Sequence, residues 1–155
     1  DIMKELFGKY LTKESVVLLR GNNKLSVMDE LIDRAADISK LDRDLISRLT
    51  WKRERMMTTG VGLGLGMPHI RVNNIPYPVI LVGVAETPIA DYLGQDEKPV
   101  QVIVFIAAPD ADQEAYLKLL GSVSRRMREV GMIDSIIANM NNSSKILELL
   151  GANEQ

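Results

Sequence analysis

Two nearly continuous apolar runs dominate the hydrophobic pattern of this chain and predict its central strands. They cover residues 79–85 and 100–107, and both are rich in valine and isoleucine. Such runs are typical of strands that are covered on both faces. A shorter β-branched run over residues 15–19 predicts a further strand. The polar segment between the two long runs contains prolines and a glycine, and it predicts a loop.

Apolar residues spaced three and four positions apart predict two helices between the first strand and the middle of the chain. The first begins at about Ser26, and Ser26 together with Asp29 resembles a capping pair. The second begins at Asp42, and most of its basic side chains fall away from the apolar face. The apolar stripes consist of Val27, Leu31, Ile32, Ala35 and Ala36 in the first helix and of Leu45, Ile46, Leu49 and Met56 in the second.

Three more helices are predicted after the second long apolar run. The longest begins near Asp112, a residue type suited to a helix N-cap, and ends at Gly131. Two short helices cover residues 132–140 and 143–150, the latter capped by one of its first two serines. The apolar stripe of the long helix consists of Ala115, Leu119, Leu120, Val123, Met127 and Val130.

The alternation of strands and helices predicts an α/β fold, with a mixed sheet of four to five strands flanked by helices. A chain of 155 residues, of which 46% are hydrophobic, fits one domain over residues 1–155. The net charge of −2 argues against a nucleic-acid-binding domain. No apolar run approaches the roughly 18–20 residues of a membrane span. The first residues do not resemble a signal peptide, and the chain does not begin with methionine, so it is compatible with a fragment of a longer protein.

A glycine-rich run over residues 58–69 is the most unusual segment of the sequence, and it ends in Pro68-His69. Its alternation of glycine and apolar residues predicts one strand, with a side-chain-free face that another group can approach closely. The apolar face consists of Val61, Leu63, Leu65 and Met67, and the bare face of Gly62, Gly64 and Gly66.

His69 is the only histidine of the chain, and its residue type limits the chemistry to be considered. The run lacks the Gly-Lys-Ser/Thr of a nucleotide-binding P-loop and the G-x-G-x-x-G of a dinucleotide site. A single histidine without any cysteine is a poor basis for a zinc site. A neutral imidazole near pH 7 is a good nitrogen nucleophile, able to accept and release a phosphoryl group. The alternative is a structural histidine at a strand end.

Phosphoryl transfer needs positive charge or N–H donors around the phosphoryl oxygens. Arg53, at the end of the second predicted helix, is a candidate for this role because a guanidinium binds phosphate as a fork. Thr58 or Thr59 is a candidate hydroxyl donor, and the glycine face offers backbone N–H groups. Glu54 has two possible interpretations: it orients Arg53 or the imidazole, or it is an ordinary carboxylate on the helix surface.

The residues Arg53-Glu54, Thr59-Gly60-Val61-Gly62, Gly64 and Met67-Pro68-His69 together resemble the signature of the mannitol/fructose-type enzyme IIA domains of the bacterial phosphotransferase system. This group includes the nitrogen-regulatory IIA-like proteins. The resemblance extends over residues 12–151, and its supporting segments are residues 24–36, 99–109 and 117–120.

The resemblance implies a fold and a function. It implies the enzyme IIA fold, and it implies that His69 accepts a phosphoryl group from HPr or a homologue while Arg53 stabilises the phosphoryl oxygens. The recipient would be a cysteine of a IIB domain that serves a membrane sugar transporter. No metal or cofactor, no nucleic acid and no membrane insertion are implied, and the expected location is the bacterial cytoplasm, with a homodimer as an open option. The supporting site residues are Glu54, Thr59, Gly62, Gly64 and Tyr116.

The chain departs from the family pattern at two places near the expected site. Members that transport sugar usually have a second histidine where this chain has Tyr116, and residues 87–92 replace a Gly-Ile-x-Trp segment. These departures leave a second function open, in which phosphorylation of His69 controls binding to a transporter, a kinase or a transcription regulator. A third option is a domain that keeps the fold without the phosphorylation.

Overall fold

The two long apolar runs form the centre of a mixed six-stranded sheet in the computed structural model, which describes residues 7–152. The strand order is β1-β5-β6-β3-β2. Strand β4 also pairs with β6, at residues of β6 that follow those paired with β3. Most neighbours of β6 and β1 run parallel, whereas β5 and β6 are antiparallel, as are β2 and β3. The elements are β1 (Val16–Leu19), α1 (Lys24–Ser39), α2 (Arg43–Met56), β2 (Gly60–Gly62), β3 (Leu65–Gly66), β4 (His69–Val72), β5 (Val79–Leu93), β6 (Pro99–Pro109), α3 (Gln113–Met127), α4 (Met132–Ala138) and α5 (Ser143–Leu149).

The central strands are covered on both faces, as their continuous apolar runs predict. Along β6, Ile103 and Phe105 pack into a core with α1 and α2, whereas Val102 and Val104 pack into a second core with α3, α4 and α5. The alternation follows from the period of two of a strand. The fold is therefore three-layered, with α1 and α2 on one face and the last three helices on the other. The α/β class is confirmed, with six strands in place of the four or five expected.

The first two helices form where the apolar stripes predict, with corrections at their ends. The N-cap of α1 is Asn23, whose side chain accepts from the Ser26 backbone N–H at 2.8 Å, so Ser26 is inside the helix and does not pair with Asp29 as a cap. The second helix begins at the predicted place, with Asp42 as its N-cap. Met56, predicted on the apolar face, is 76% exposed because the last turn of α2 extends past the core.

The long C-terminal helix also begins as predicted and ends early. Asp112 accepts from the Ala115 backbone N–H and caps α3, but the helix ends at Met127 rather than at Gly131. Val130 consequently lies outside the helix and is fully exposed, contrary to its place in the predicted stripe. The cap of α5 is Asn142 rather than a serine.

The segment predicted as a loop after residue 85 is the second half of β5. Ile89 pairs with Val100 and Leu93 pairs with Pro99, with shifts of register on either side of Ile89. Those shifts place the two buried residues of this half, Ile89 and Tyr92, three positions apart. A strand with regular alternation would bury every second residue, so the irregularity hides this strand from a period-two pattern.

The glycine run is a hairpin followed by a separate strand, not one strand. Residues 62–64 form the connection between β2 and β3, where Gly62, Leu63 and Gly64 all have φ between 61° and 96°. Glycine adopts this left-handed conformation without the steric cost that a side chain brings. Leu63 is consequently 61% exposed and does not share a buried face with Leu65. None of the helices within residues 7–152 is long and apolar enough to span a membrane.

Candidate functional site

His69 opens β4, and the register of that strand decides which face it occupies. His69 pairs with Ile106 of β6, and the neighbouring Ile70 and Val72 are buried in the core beneath α1 and α2. Because side chains alternate along a strand, His69 and Arg71 lie on the opposite face, toward α3. Both side chains are half-buried.

A backbone carbonyl sets the protonation of the His69 ring. Nδ1 of His69 lies 2.7 Å from the carbonyl oxygen of Met67. A carbonyl only accepts, so Nδ1 carries the proton and the neutral ring keeps its lone pair on Nε2. Burial lowers the pKa of His69 below its ordinary value of 6.5, and the Arg53 charge acts in the same direction. The Met67 hydrogen bond and the Glu54 charge oppose the shift in pKa, but burial dominates.

A cleft of about 300 Å³ brings together His69, Arg53 and Thr59 from three separate segments. Arg53 comes from the last turn of α2, and its guanidinium donates to the Met57 carbonyl at 2.9 Å. That bond uses one of several guanidinium N–H groups and restrains the side chain near its own helix end. The lining of the cleft consists of Arg53, Met57, Thr58, Thr59, Val61, Met67, His69, Gln95, Leu120, Gly121 and Ser124.

Glu54 is buried behind this cleft, contrary to a helix-surface position. Its carboxylate accepts from the Thr59 backbone N–H and from Lys24 Nζ, both at 2.9 Å, and from the Thr59 hydroxyl at 2.5 Å. The Thr59 hydroxyl also contacts the hydroxyl of Tyr92. Since the Thr59 hydroxyl uses its one proton in the hydrogen bond to the carboxylate, it accepts the hydrogen bond that the Tyr92 hydroxyl donates. Burial raises the pKa of Tyr92 above its ordinary value, so this donor stays protonated at neutral pH.

Tyr116 of α3 packs beside the histidine. The two ring centroids are 6.4 Å apart with their planes inclined at 51°. On its other side, the Tyr116 ring lies 5.0 Å from the guanidinium carbon of Arg71, which also donates to the side chain of Gln113 and to the carbonyl of Asp110. Burial raises the pKa of the Tyr116 phenol, which is therefore neutral at pH 7.

The structure gathers most of the sequence-predicted site residues and leaves two outside. His69, Arg53 and Thr59 line the cleft, Glu54 contacts it through Thr59, and Tyr116 contacts the His69 ring. Gly62 and Gly64 lie in the β2–β3 connection and are not part of the cleft lining. The continuous glycine face that was expected to supply N–H donors is therefore absent from residues 58–67.

Several residues around the cleft escape sequence reasoning. Leu120, Gly121 and Ser124 lie along one face of α3, and Gln95 lies in the turn after β5. Their residue types carry no chemical signal. The packing of α3 against the sheet brings the first three to His69, and the turn after β5 brings Gln95 to the same cleft. Within residues 7–152 there is no cluster of three or more histidine, cysteine, aspartate or glutamate residues placed to hold a metal ion.

Comparisons with known proteins show the family of the chain. The family model described as "Phosphoenolpyruvate-dependent sugar phosphotransferase system, EIIA 2" matches residues 9–153. The fructose-specific EIIA component of the phosphotransferase system from Haloferax volcanii is 31% identical over 105 residues, which is 67% of this chain and 68% of that protein. A nitrogen regulatory protein from Bradyrhizobium diazoefficiens is 27% identical over 111 residues, 72% of each chain.

A solved structure shows the same fold. The crystal structure of the nitrogen regulatory protein IIA-Ntr from Neisseria meningitidis aligns with a TM-score of 0.84 over 92% of this chain and 97% of that chain. The sequence identity is 19%, so this likeness concerns the fold alone.

Proposed function

We propose, from the premise that this chain belongs to the EIIA 2 family of the phosphoenolpyruvate-dependent sugar phosphotransferase system, that it carries a phosphoryl group on Nε2 of His69. The observation that carries this proposal is the bond between His69 Nδ1 and the Met67 carbonyl, which leaves Nε2 as the free nucleophile. The lowered pKa of His69 supports it further, because an unprotonated ring is the reactive form.

The transfer itself is an in-line displacement at phosphorus. The lone pair of Nε2 forms the new P–N bond while the bond from phosphorus to the donor nitrogen breaks, and the electron pair of that bond stays on the donor. The proton stays on Nδ1 throughout, in the hydrogen bond that Nδ1 donates to the Met67 carbonyl. The reverse sequence delivers the phosphoryl group to the acceptor, so the imidazole returns to its starting form.

Arg53 is the proposed stabiliser of the phosphoryl oxygens. It shares the cleft with His69, and its guanidinium keeps N–H donors beyond the one that binds Met57. A guanidinium matches the geometry of phosphoryl oxygens and retains its charge at all relevant pH values. The Thr58 and Thr59 segment borders the same cleft and supplies polar neighbours. Gly62 and Gly64 are proposed to act on the shape of the hairpin rather than on phosphorus.

The proposed partners are an HPr-like phosphocarrier as donor and a IIB domain as acceptor, in the cytoplasm. The family supports the class of reaction, in which His69 accepts a phosphoryl group from one protein and releases it to another. Incubation with phosphoenolpyruvate, enzyme I and HPr is expected to give an acid-labile adduct of one phosphoryl group. The His69→Gln variant is expected to give none, and an adduct on that variant would overturn the assignment.

A second candidate function is regulation by the phosphorylation state of His69. The likeness to nitrogen regulatory proteins favours it, as does Tyr116 in place of a histidine beside the nucleophile. In this case the phosphorylated and unphosphorylated forms bind a target protein with different affinity. Transfer to a IIB domain distinguishes the two functions: a carrier loses its phosphoryl group to IIB within seconds to minutes, whereas a regulator retains it.

A further inference from the structure

A buried ion pair lies behind the cleft and has no part in the proposed chemistry. Within residues 7–152, Glu54 is the single carboxylate that is buried, with 7% of its surface exposed. Lys24, the first residue of α1, pairs with it across 30 positions of sequence and is itself largely covered. A buried carboxylate without a partner is strongly disfavoured, and the Lys24 ammonium at 2.9 Å is the ion-pair partner of Glu54 in this position.

Lys24 and Tyr92 belong to one polar cluster around the Glu54 carboxylate, which also includes Thr59. The Lys24 ammonium lies 4.7 Å from the centre of the Tyr92 ring, a cation–π contact in addition to its pair with Glu54. The Tyr92 hydroxyl donates to Thr59, which donates in turn to Glu54. Every polar group of this cluster therefore has a partner, and such a fully satisfied network is rigid.

The cluster is connected to the nucleophile through the backbone of Thr59. The Thr59 N–H is held by Glu54, and the Thr59 carbonyl accepts from the Met67 N–H at 2.8 Å. The Met67 carbonyl is the group that accepts the His69 Nδ1 proton. Glu54 also directly follows Arg53, so its position restrains the helix turn from which the guanidinium extends.

We propose that Lys24 and Tyr92 are positioning residues, which act through Glu54 and Thr59 to hold the Met67 carbonyl, the His69 tautomer and Arg53 in one arrangement. This inference rests on the proposed phosphoryl transfer. Neither residue lines the cleft that contains His69. Both therefore affect the rate of the chemical step without contacting the phosphoryl group or the donor there.

The test measures two properties of variants of the 155-residue chain. The first is phosphorylation by HPr, at varied HPr concentration, in the presence of phosphoenolpyruvate and enzyme I. The second is the ¹⁵N spectrum of the His69 side chain in unphosphorylated protein above its pKa, which reports the tautomer and is unambiguous because the chain has a single histidine. The variants are Lys24→Met, Lys24→Arg and Tyr92→Phe.

Lys24→Met is expected to lower the maximal rate at least about tenfold, with KM for HPr changed less than about twofold, since misplacement of reacting groups affects the chemical step. The ¹⁵N signals are expected to shift from the pure Nδ1–H form toward a mixture of tautomers. Lys24→Arg, which retains the charge, is expected to recover most of the rate. The matched control is Lys145→Met, which removes a lysine from an exposed ion pair on α5.

The outcomes separate the two proposals. Folded Lys24→Met and Tyr92→Phe proteins with wild-type rates and wild-type ¹⁵N signals would overturn the positioning role. If Lys24→Met does not fold, Tyr92→Phe, which removes one hydroxyl, decides by the same two measurements. A wild-type protein that HPr does not phosphorylate would overturn the proposed function, while the ¹⁵N spectra of the variants would still decide whether the network sets the tautomer.

Discussion

The Nδ1 atom of His69 and the carbonyl oxygen of Met67 lie 2.7 Å apart, on either side of Pro68. Proline fixes one backbone torsion between them, so the contact has few alternatives to compete with. The N–H of the same Met67 binds the Thr59 carbonyl at 2.8 Å. The orientation of the only histidine is therefore set by the backbone of Met67, whose carbonyl binds the ring and whose N–H is held by Thr59.

The first prediction concerns the titration of His69. Burial, assisted by Arg53, lowers its pKa, so we expect the NMR titration of the single histidine to have its midpoint below 6.5 in the folded protein. In the urea-unfolded chain, the midpoint should lie at about 6.5. Because the unfolded state then binds the proton more readily, the free energy of unfolding should decrease as pH falls from about 6.5 through the lowered pKa.

The His69→Gln variant is the control for this pH dependence. Its free energy of unfolding should lack the decrease that the wild-type protein shows in that window, because no group with a lowered pKa remains at position 69. A folded-state midpoint above 6.5 would mean that Glu54 and the Met67 hydrogen bond outweigh burial, contrary to the order found here.

The second prediction concerns the guanidinium in the cleft. Replacing Arg53 with glutamine should slow phosphorylation by HPr about 10²-fold, since removal of one preorganised donor from a charged transition state has an effect of that size. Arg53→Lys should recover only part of the rate because an ammonium does not reproduce the guanidinium fork. Stopped reactions resolved by phosphate-affinity electrophoresis measure both rates.

Arg55→Gln is the matched control for Arg53. Arg55 lies on the same last turn of α2, is exposed, and does not line the cleft. Its loss removes the same formal charge at nearly the same place in the sequence. An equal slowing in both variants would indicate that net charge attracts the donor, and it would remove the specific role of Arg53.

The third prediction concerns Tyr116, whose ring lies beside that of His69. The contact seen here is between rings, so Tyr116→Phe should change the phosphorylation rate less than about threefold. Tyr116→Ala should lower stability by ~2 kcal/mol or more, because it removes the aromatic packing and the contact with Arg71. Urea unfolding measures the second effect. A large loss of rate in Tyr116→Phe would instead assign the function to the phenol hydroxyl.

The fourth prediction concerns Gly66. A Cβ atom at this position would lie 2.6 Å from the Tyr92 hydroxyl oxygen and 2.9 Å from the ring carbon that bears it. Gly66→Ala should therefore cost roughly 1–3 kcal/mol of stability, the usual range for overpacking a core. In the Tyr92→Phe background the cost should be smaller, since the nearest atom is gone. Double-mutant cycles of urea unfolding measure the difference.

Gly131→Ala provides the control for the Gly66 measurement. Its Cβ would meet nothing within 4 Å, so only the positive φ of 81° opposes the substitution. A cost of about 1 kcal/mol is expected, independent of Tyr92. Dependence on Tyr92 at position 131, or independence from it at position 66, would contradict the packing described here.

The central fold follows from the sequence because its signals are local and strong. The runs over residues 79–85 and 100–107 are apolar except at Gln101, and that property predicts cover on both faces. The helix start at Asp42 and the N-cap at Asp112 depend on neighbouring residues only, and both are confirmed. Periodicity shows which face of a helix is apolar but not how far the core or the helix extends, so Met56 is exposed at the end of α2 and Val130 lies beyond the end of α3.

The grouping of the candidate site residues was easier to predict than the backbone that holds them. His69 is the only histidine of the chain, and the motif that contains it predicts a phosphoryl site that includes Arg53; the structure places both residues in one cleft. The hairpin at residues 62–64 was missed because alternating glycine and apolar residues fit a strand as well as two strands joined by a left-handed connection. Tyr92 was missed because it lies in a strand half whose irregular register breaks the alternation.

The single cleft around His69 determines the order of events in any relay that uses it. Nε2 of one imidazole can react with one partner at a time, so in the proposed relay the donor has to dissociate before the acceptor can bind. The two partners would then bind in alternation, with the phosphoryl group held on nitrogen between the two encounters. Turnover in a cell would then depend on the dissociation rate of each partner. A partner that dissociates slowly from the phosphorylated or the unphosphorylated form would block the next transfer.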